Sequence, residues 1–379
     1  MFCRRSWHFR FVMGICGGAL AVAAFAGNLD AQDSGDRLAT LLYNTSSRLF
    51  RQKNWSEAAE SFGEFLARHA NHADAPEARF ARGYCFNRLG KHAAAVEDFR
   101  KIRKREKERW AADANFYLAR SLEALAGDAN ADEVTRRKRF LEAADGFATV
   151  ARIRASKLGE KGLSAVKKKE ILQQQVQAIA AQGEMLYRAN SHGRAAEALA
   201  PLMSAPSRYQ RAPSYARGLY YLALARYGLA KRAGAGTRAA ELRAAIAALE
   251  VLSQAKYEAE PLWSEAAFLL AGIYRGEKVR DRAVALYDRI ELGNGPRSAE
   301  AAFNRAMVRY ESRQSDELKL ASVELARFCR EKWTASSQAS ITASAGGSSR
   351  PSVRRMTWLP GAPSRWKKRS LPRASRVVR

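Results

Sequence analysis

Asn54-Trp55-Ser56-Glu57-Ala58-Ala59-Glu60-Ser61-Phe62 is echoed by Gly90-Lys91-His92-Ala93-Ala94-Ala95-Val96-Glu97-Asp98-Phe99, with Trp55 and His92 in equivalent places 37 residues apart. Each phrase follows an aromatic-rich stretch of helical pattern. A recurrence at a fixed period of about 34 residues, here with a slightly longer loop, marks a solenoid of stacked helix pairs, because one pair alone cannot bury its apolar face. In the second copy the first helix carries Phe80, Gly83, Tyr84 and Phe86, the turn carries Gly90, and the second helix carries Ala95, Phe99 and Ile102. Small residues stand where two helices approach and large ones fill the gap beside them.

At these positions the chain resembles the tetratricopeptide repeat family. Gly83 falls at the family's first-helix small residue, Phe86 at its aromatic, Gly90 at the turn, Ala95 at the second-helix small residue and Phe99 at the large one. In the first unit Trp55, Ala58 and Phe62 match the second helix, while Ser46 and Leu49 replace the small and aromatic residues of the first. Tyr274, Ala283, Tyr287 and Ile290 in Ala266–Gly295 fit the same template, with Pro296 closing that unit. Weaker units are read in Ala114–Ala155, Gln177–Met203, Pro213–Gln254 and Arg297–Trp333. The resemblance therefore implies an all-α, right-handed superhelical solenoid of about seven antiparallel helix pairs. Polar inserts at Gly127–Thr135 and Lys231–Thr237 break the family's spacing in two of them.

Phe62-x-x-Phe65-Leu66-Ala67-Arg68 followed by Ala75-Pro76-Glu77-Ala78 is similar to the periplasmic repeat proteins of the CpoB and BamD types, which organise outer-membrane machinery. The N-terminus independently predicts export. Arg4, Arg5 and Arg10 precede an apolar run from Phe11 to Ala26 that is shorter than a spanning helix needs, and small residues for cleavage occur at Ala26 and Ala31. Bulky Ile15 before Cys16 argues against lipid attachment, and Ser6-Trp7-His8 does not continue a twin-arginine signal. The expected organisation is thus a signal peptide over 1–31, clear repeats over 38–125, divergent repeats over 126–333 and a tail over 334–379. Of the cysteines outside the signal, Cys85 and Cys329 fall in different repeats, too far apart in a stack to bond, and are expected as packed helix residues.

The net charge of +27 invites a search for an acidic partner. Three arginines of the signal and ten basic residues after Ala339, where no acid occurs, hold thirteen of those charges and leave +14 for the repeats. Within them Lys101-Ile102-Arg103-Lys104-Arg105-Glu106-Lys107, Arg136-Arg137-Lys138-Arg139 and Lys167-Lys168-Lys169 are the densest basic runs. No aromatic platform or recognition helix accompanies them, so nucleic acid is not the expected partner. Clustered cations leave anionic lipid or lipopolysaccharide open as a ligand. From Ser340 the sequence turns to Ser, Arg, Pro and Gly, the helical periodicity stops and disorder is expected. A basic interaction tail and a shifted reading frame both account for that composition.

No phosphate loop, Cys-x-x-Cys pair or Gly-x-Ser-x-Gly elbow is present. His69 and His72 near Asp74 have a spacing that metal ligands can use, but they fall in a polar turn before Pro76. Glu57, Glu60 and Glu64 recur at helical spacing and read as a solvated face. Neither a cofactor nor a reaction is indicated; an enzyme-associated or glycan-processing role would need a pocket of convergent carboxylates or histidines. What the resemblance implies instead is recognition of a protein or peptide along the first helices. Carried over residue by residue, the exposed groove positions are Tyr43, Ser47 and Arg51, then Tyr84, Asn87 and Arg88, then Phe116, Arg120 and Glu123. Tyr43 and Ser47 stand where the family's carboxylate clamp has Lys and Asn, so the resemblance implies an extended peptide or protein as ligand and not a C-terminal carboxylate. The oligomeric state is not legible.

Overall fold

The computed structural model describes residues 26–102, 110–293, 295 and 297–345, and their side chains between residues 37 and 330. Every regular element among them is helical, in seven hairpins stacked in chain order. They are α1 (Ala26–Arg51) with α2 (Trp55–Arg68), α3 (Ala75–Arg88) with α4 (His92–Ile102), and α5 (Ala111–Ala126) with α6 (Glu133–Leu158). Next come α7 (Ala165–Arg188) with α8 (His192–Ser204), the single turn α9 (Pro206–Tyr209), and α10 (Tyr215–Arg232) with α11 (Ala235–Leu252). The stack ends with α12 (Trp263–Gly276) and α13 (Arg280–Leu292), then α14 (Ser298–Ser312) and α15 (Ser315–Ala345). Each second helix packs on the first helix of the next unit, and α1 also touches α3, α3 touches α5 and α7 lies along α10. Successive first helices therefore line the closer side of the stack.

The chain turns from first to second helix in the same way in five units. Lys53, Gly90, Asn190, Lys278 and Arg313 each lie two residues before the second helix with φ of 64°, 74°, 59°, 63° and 59°. In four of them the following amide reaches back to the carbonyl five residues earlier, as in Asn54 N to Leu49 O at 3.1 Å and Lys91 N to Phe86 O at 2.9 Å. This left-handed ending satisfies carbonyls that a helix terminus leaves bare. Only the third and fifth units depart from it, and they are the two with polar inserts. In the third, a loop over 127–132 separates the helices; in the fifth, the extra residues are absorbed as helix, so that only Ala233 and Gly234 join α10 to α11.

Packing follows the small-against-large rule. Gly83 is buried, and a methyl there would stand 3.0 Å from the Phe99 ring, so α3 and α4 cross at van der Waals contact. Gly183 meets Leu199 in the same way between α7 and α8. Ser46, in the small-residue place of the first unit, is fully buried and shares a 2.7 Å hydrogen bond with Ser61 across α1 and α2. A first core gathers Phe62, Phe65, Ala78 and Cys85 around Tyr43, and a second runs from Phe80 to Val308, with α3 contributing to both. Where the clearer repeats give way to the more divergent ones, α5 packs along α6.

Three expectations need correction or placing. Cys85 is buried, and burial lifts its thiol to about 12, but Cys329 is exposed on α15 rather than packed. Thr334–Ala345, assigned to the tail by composition, lies in α15, where neither Gly nor Pro occurs. Both expected cleavage points, Ala26 and Ala31, fall at the start of α1. The rest of the expected signal and residues 346–379 lie outside the described residues, as do residues 103–109 of the first basic run and Pro296.

Candidate recognition surface

The nine residues carried over from the repeat pattern do not share one environment. Tyr43 is only 9% exposed, with ring centroids 6.2 Å from Phe62 and 5.6 Å from Phe65, and burial raises its phenol. Its ring belongs to the first core, turned from α1 onto α2, and not to an exposed groove. Ser47 is half-buried beside the Tyr43 hydroxyl, while Arg51 is exposed at the end of α1.

Tyr84 is half-buried in an aromatic seam, 5.5 Å from Phe50, 5.7 Å from Trp55 and 4.9 Å from Tyr117 between ring centroids. Phe116 extends the seam toward Phe147 at 5.8 Å. Burial raises the Tyr117 phenol, which favours its neutral form. Asn87 donates to Ser121 Oγ at 2.8 Å and ties α3 to α5. Above this seam Arg88 is exposed with its guanidinium 5.9 Å from the Trp55 ring centre, and Arg120 is 51% exposed while pairing with Glu123 at 2.7 Å. Arg51, Arg88 and Arg120 are thus the solvent-facing members, and the aromatics form their half-covered floor.

The surface continues onto residues that the repeat pattern had not singled out. Glu184 on α7 is 1% exposed and holds Arg188 at 2.6 Å, Arg217 of α10, and the Tyr221 hydroxyl, which donates to it at 2.9 Å. Arg188 and Arg217 keep 41% and 42% of their side chains in solvent, and Arg188 lies 4.0 Å from Glu123. A buried carboxylate is tolerable only with such partners; it fixes two guanidinium groups in place at the junction of the fourth and fifth units. Tyr187 and Tyr220 flank Tyr221 at 5.8 and 5.7 Å. The signal that could have found this junction is Glu184 itself, the one charge inside the run Val176–Leu186.

The surface is built for contact. Among the described residues no group of three His, Cys, Asp or Glu side chains is placed to hold a metal ion. His69 and His72 pack on Phe65 at 5.7 and 5.5 Å, and His72 Nδ1 accepts from the Asp74 amide at 3.2 Å. Glu57, Glu60 and Glu64 are exposed, as their spacing implied. A cavity between α10, α11 and α12 is lined by Tyr227, Lys231, Arg238 and Glu277, a single carboxylate standing 3.8 Å from Arg238.

No family model matches the sequence, and no curated protein does. Among solved structures the chain is similar to the C-terminal part of a tetratricopeptide repeat-containing protein from Cytophaga hutchinsonii, at 17% identity over 68% of this chain and 98% of that one, with a TM-score of 0.30. It is also similar to the assembly chaperone of RpL4, Acl4 (residues 1–338), at 14% identity over 79% and 99% of the two chains, TM-score 0.40. Yeast Tom70 matches at 14% identity over 78% and 69%, TM-score 0.32. The seven stacked hairpins, the recurrent left-handed turn and the fit of Gly83 against Phe99 make the chain a tetratricopeptide-like helical solenoid.

Proposed function

We propose that the protein is a non-catalytic scaffold of the bacterial cell envelope that binds an extended protein segment along its first helices. The observation that carries this reading is the line of solvent-facing arginines Arg51, Arg88, Arg120, Arg188 and Arg217 over half-buried aromatics, spanning five consecutive units. Arginine and aromatic side chains are the favoured anchors of protein interfaces: they offer large contact area and directed hydrogen bonds. Work is done by equilibrium binding on a preformed surface, with no covalent step. The basic n-region and short apolar run before Ala26 support export, and the Phe62–Ala78 phrase supports a place beside envelope machinery.

Tyr84 is a poor probe of this idea, since removing it would open the seam between three units. Arg88→Glu with Arg120→Glu alters only exposed positions. Binding of an envelope partner in co-purification is expected to fall at least about tenfold with unchanged helicity, as reversal of interface charges costs several kcal/mol. Undiminished capture by the double variant would remove the first helices from the interface.

A further inference from the structure

Where the third unit passes into the fourth, α6 and α7 form an inter-unit hairpin longer than the helix pairs beside it. With 26 and 24 residues these helices run about 39 and 36 Å, against about 20 Å for the 13-residue α8. The last buried residue of α6 is Ala151 and the first of α7 is Ile171; no residue over 152–170 is buried. Arg154 marks where α6 leaves its neighbour, with Nη2 2.9 Å from Asp113 in the first turn of α5. The hairpin end therefore stands out from the edge of the solenoid.

That end is strongly basic, with seven cations against two carboxylates over 152–170. Lys167 pairs with Glu170 at 3.0 Å, whereas Lys157, Lys161, Lys168 and Lys169 have no carboxylate partner among the described residues. Lys167, Lys168 and Lys169 also occupy the first turns of α7, which has no acidic residue in its first turn. Cations there oppose the helix dipole and one another, so local stability does not explain them.

We propose that this hairpin end docks on the surface of an anionic lipid bilayer. A convex protrusion can meet a flat surface but cannot enclose a chain. Five of its seven cations, and all of those beyond Arg154, are lysines, compact and strongly hydrated, in place of the guanidinium forks used for directed recognition. No aromatic ring lies between 152 and 170 to stack on a base. Val166 is 63% exposed beside the lysines and offers an apolar contact at the headgroup level. This surface is separate from the arginine line on the first helices, and the two readings fail independently.

The test uses the full chain and sedimentation with vesicles of phosphatidylcholine alone or mixed with phosphatidylglycerol. Binding is expected only to the anionic vesicles and is lost as salt rises from about 0.05 to about 0.5 M. Lys167→Glu/Lys168→Glu/Lys169→Glu should weaken it by tenfold or more, since each lysine near such a surface contributes about a fivefold gain. The added acids suit a helix N-terminus, so folding is preserved. A tail variant, Arg365→Ser/Lys367→Ser/Lys368→Ser/Arg369→Ser, should retain binding. The proposal is overturned if the tail variant loses binding while the hairpin variant keeps it, if neutral vesicles bind equally, or if a DNA duplex is bound in preference through the same lysines.

Discussion

Asp98 shows what a single charged residue does in this stack. Its side chain is 3% exposed on α4 and receives two hydrogen bonds from Arg82 of α3, at 2.8 and 2.6 Å, and that carboxylate is the main reason the Arg82 guanidinium holds its proton more tightly than usual. Removing one partner strands a buried charge, so Arg82→Ala should cost about 3 kcal/mol or more, whereas Arg82→Ala with Asp98→Ala should cost less than the sum of the single changes. Urea unfolding of the three variants checks this. His192 gives a pH-dependent counterpart: burial, and secondarily Arg232, lowers its pKa, and its Nδ1 has no hydrogen-bond partner among the described residues. The unfolded chain then takes up protons more readily, so this residue's contribution is intact above its unfolded pKa of about 6.5 and is lost as pH falls below it. His192→Asn is expected to flatten the stability loss between about pH 7 and pH 5 relative to the parent chain. Neither site was visible in the sequence, because a repeat pattern gives a position's depth in a typical unit but not its partner. Tyr43 is a further case: the pattern gives it a groove position, while Phe62 and Phe65 take its ring into the first core.

At the scale of the element, the sequence showed the helix pairs well and their endings poorly. Gly90 announced a left-handed turn, but Lys53, Lys278 and Arg313 adopt the same geometry with residues that carry no such signal. The carbonyl-capping bonds, repeated at Lys278 N to Arg275 O and Val279 N to Tyr274 O at 3.1 and 2.8 Å, hold those side chains in a conformation costing about 1–2 kcal/mol for a residue with a Cβ. Lys278→Gly should therefore stabilise the fold by about 0.5–1 kcal/mol, the gain being reduced by glycine's greater freedom when unfolded. Gly90→Ala should destabilise it by about 1 kcal/mol, and at Gly90 nothing lies within 4 Å of the added methyl, so strain in the backbone is the sole cause. Thermal melts of both variants decide the matter; equal shifts in one direction would show that the turn conformation carries no such energy. Helix length was the other illegible quantity. The insert around Lys231–Thr237 became helix because Ala235–Leu252 is rich in alanine and leucine and supports extra turns at little cost.

For the whole molecule, stacking in chain order makes stability a matter of neighbours. Two cores meet only at α3, and the larger one is continuous from Phe80 to Val308, yet each unit touches little beyond the units on either side. In such an array a defect is felt chiefly where it is made and one interface away, because the packing contacts run between neighbouring units. Tyr287 lies at the centre of α13, 1% exposed and with its ring centre 5.6 Å from that of Phe268, and burial raises its phenol to about 12. Truncating a buried aromatic costs about 3–5 kcal/mol, enough to open the last two units. In Tyr287→Ala, amide hydrogen exchange should accelerate across α12 to α15 while α1 to α4 keep their protection. Uniform acceleration would mean instead that the seven units unfold together, and the continuous apolar core would then dominate over the linear order of contacts. Local opening would leave Arg51, Arg88, Arg120, Arg188 and Arg217 in place, so the same variant should retain whatever the first five units bind; loss of that binding would place part of the interface on α12 to α15.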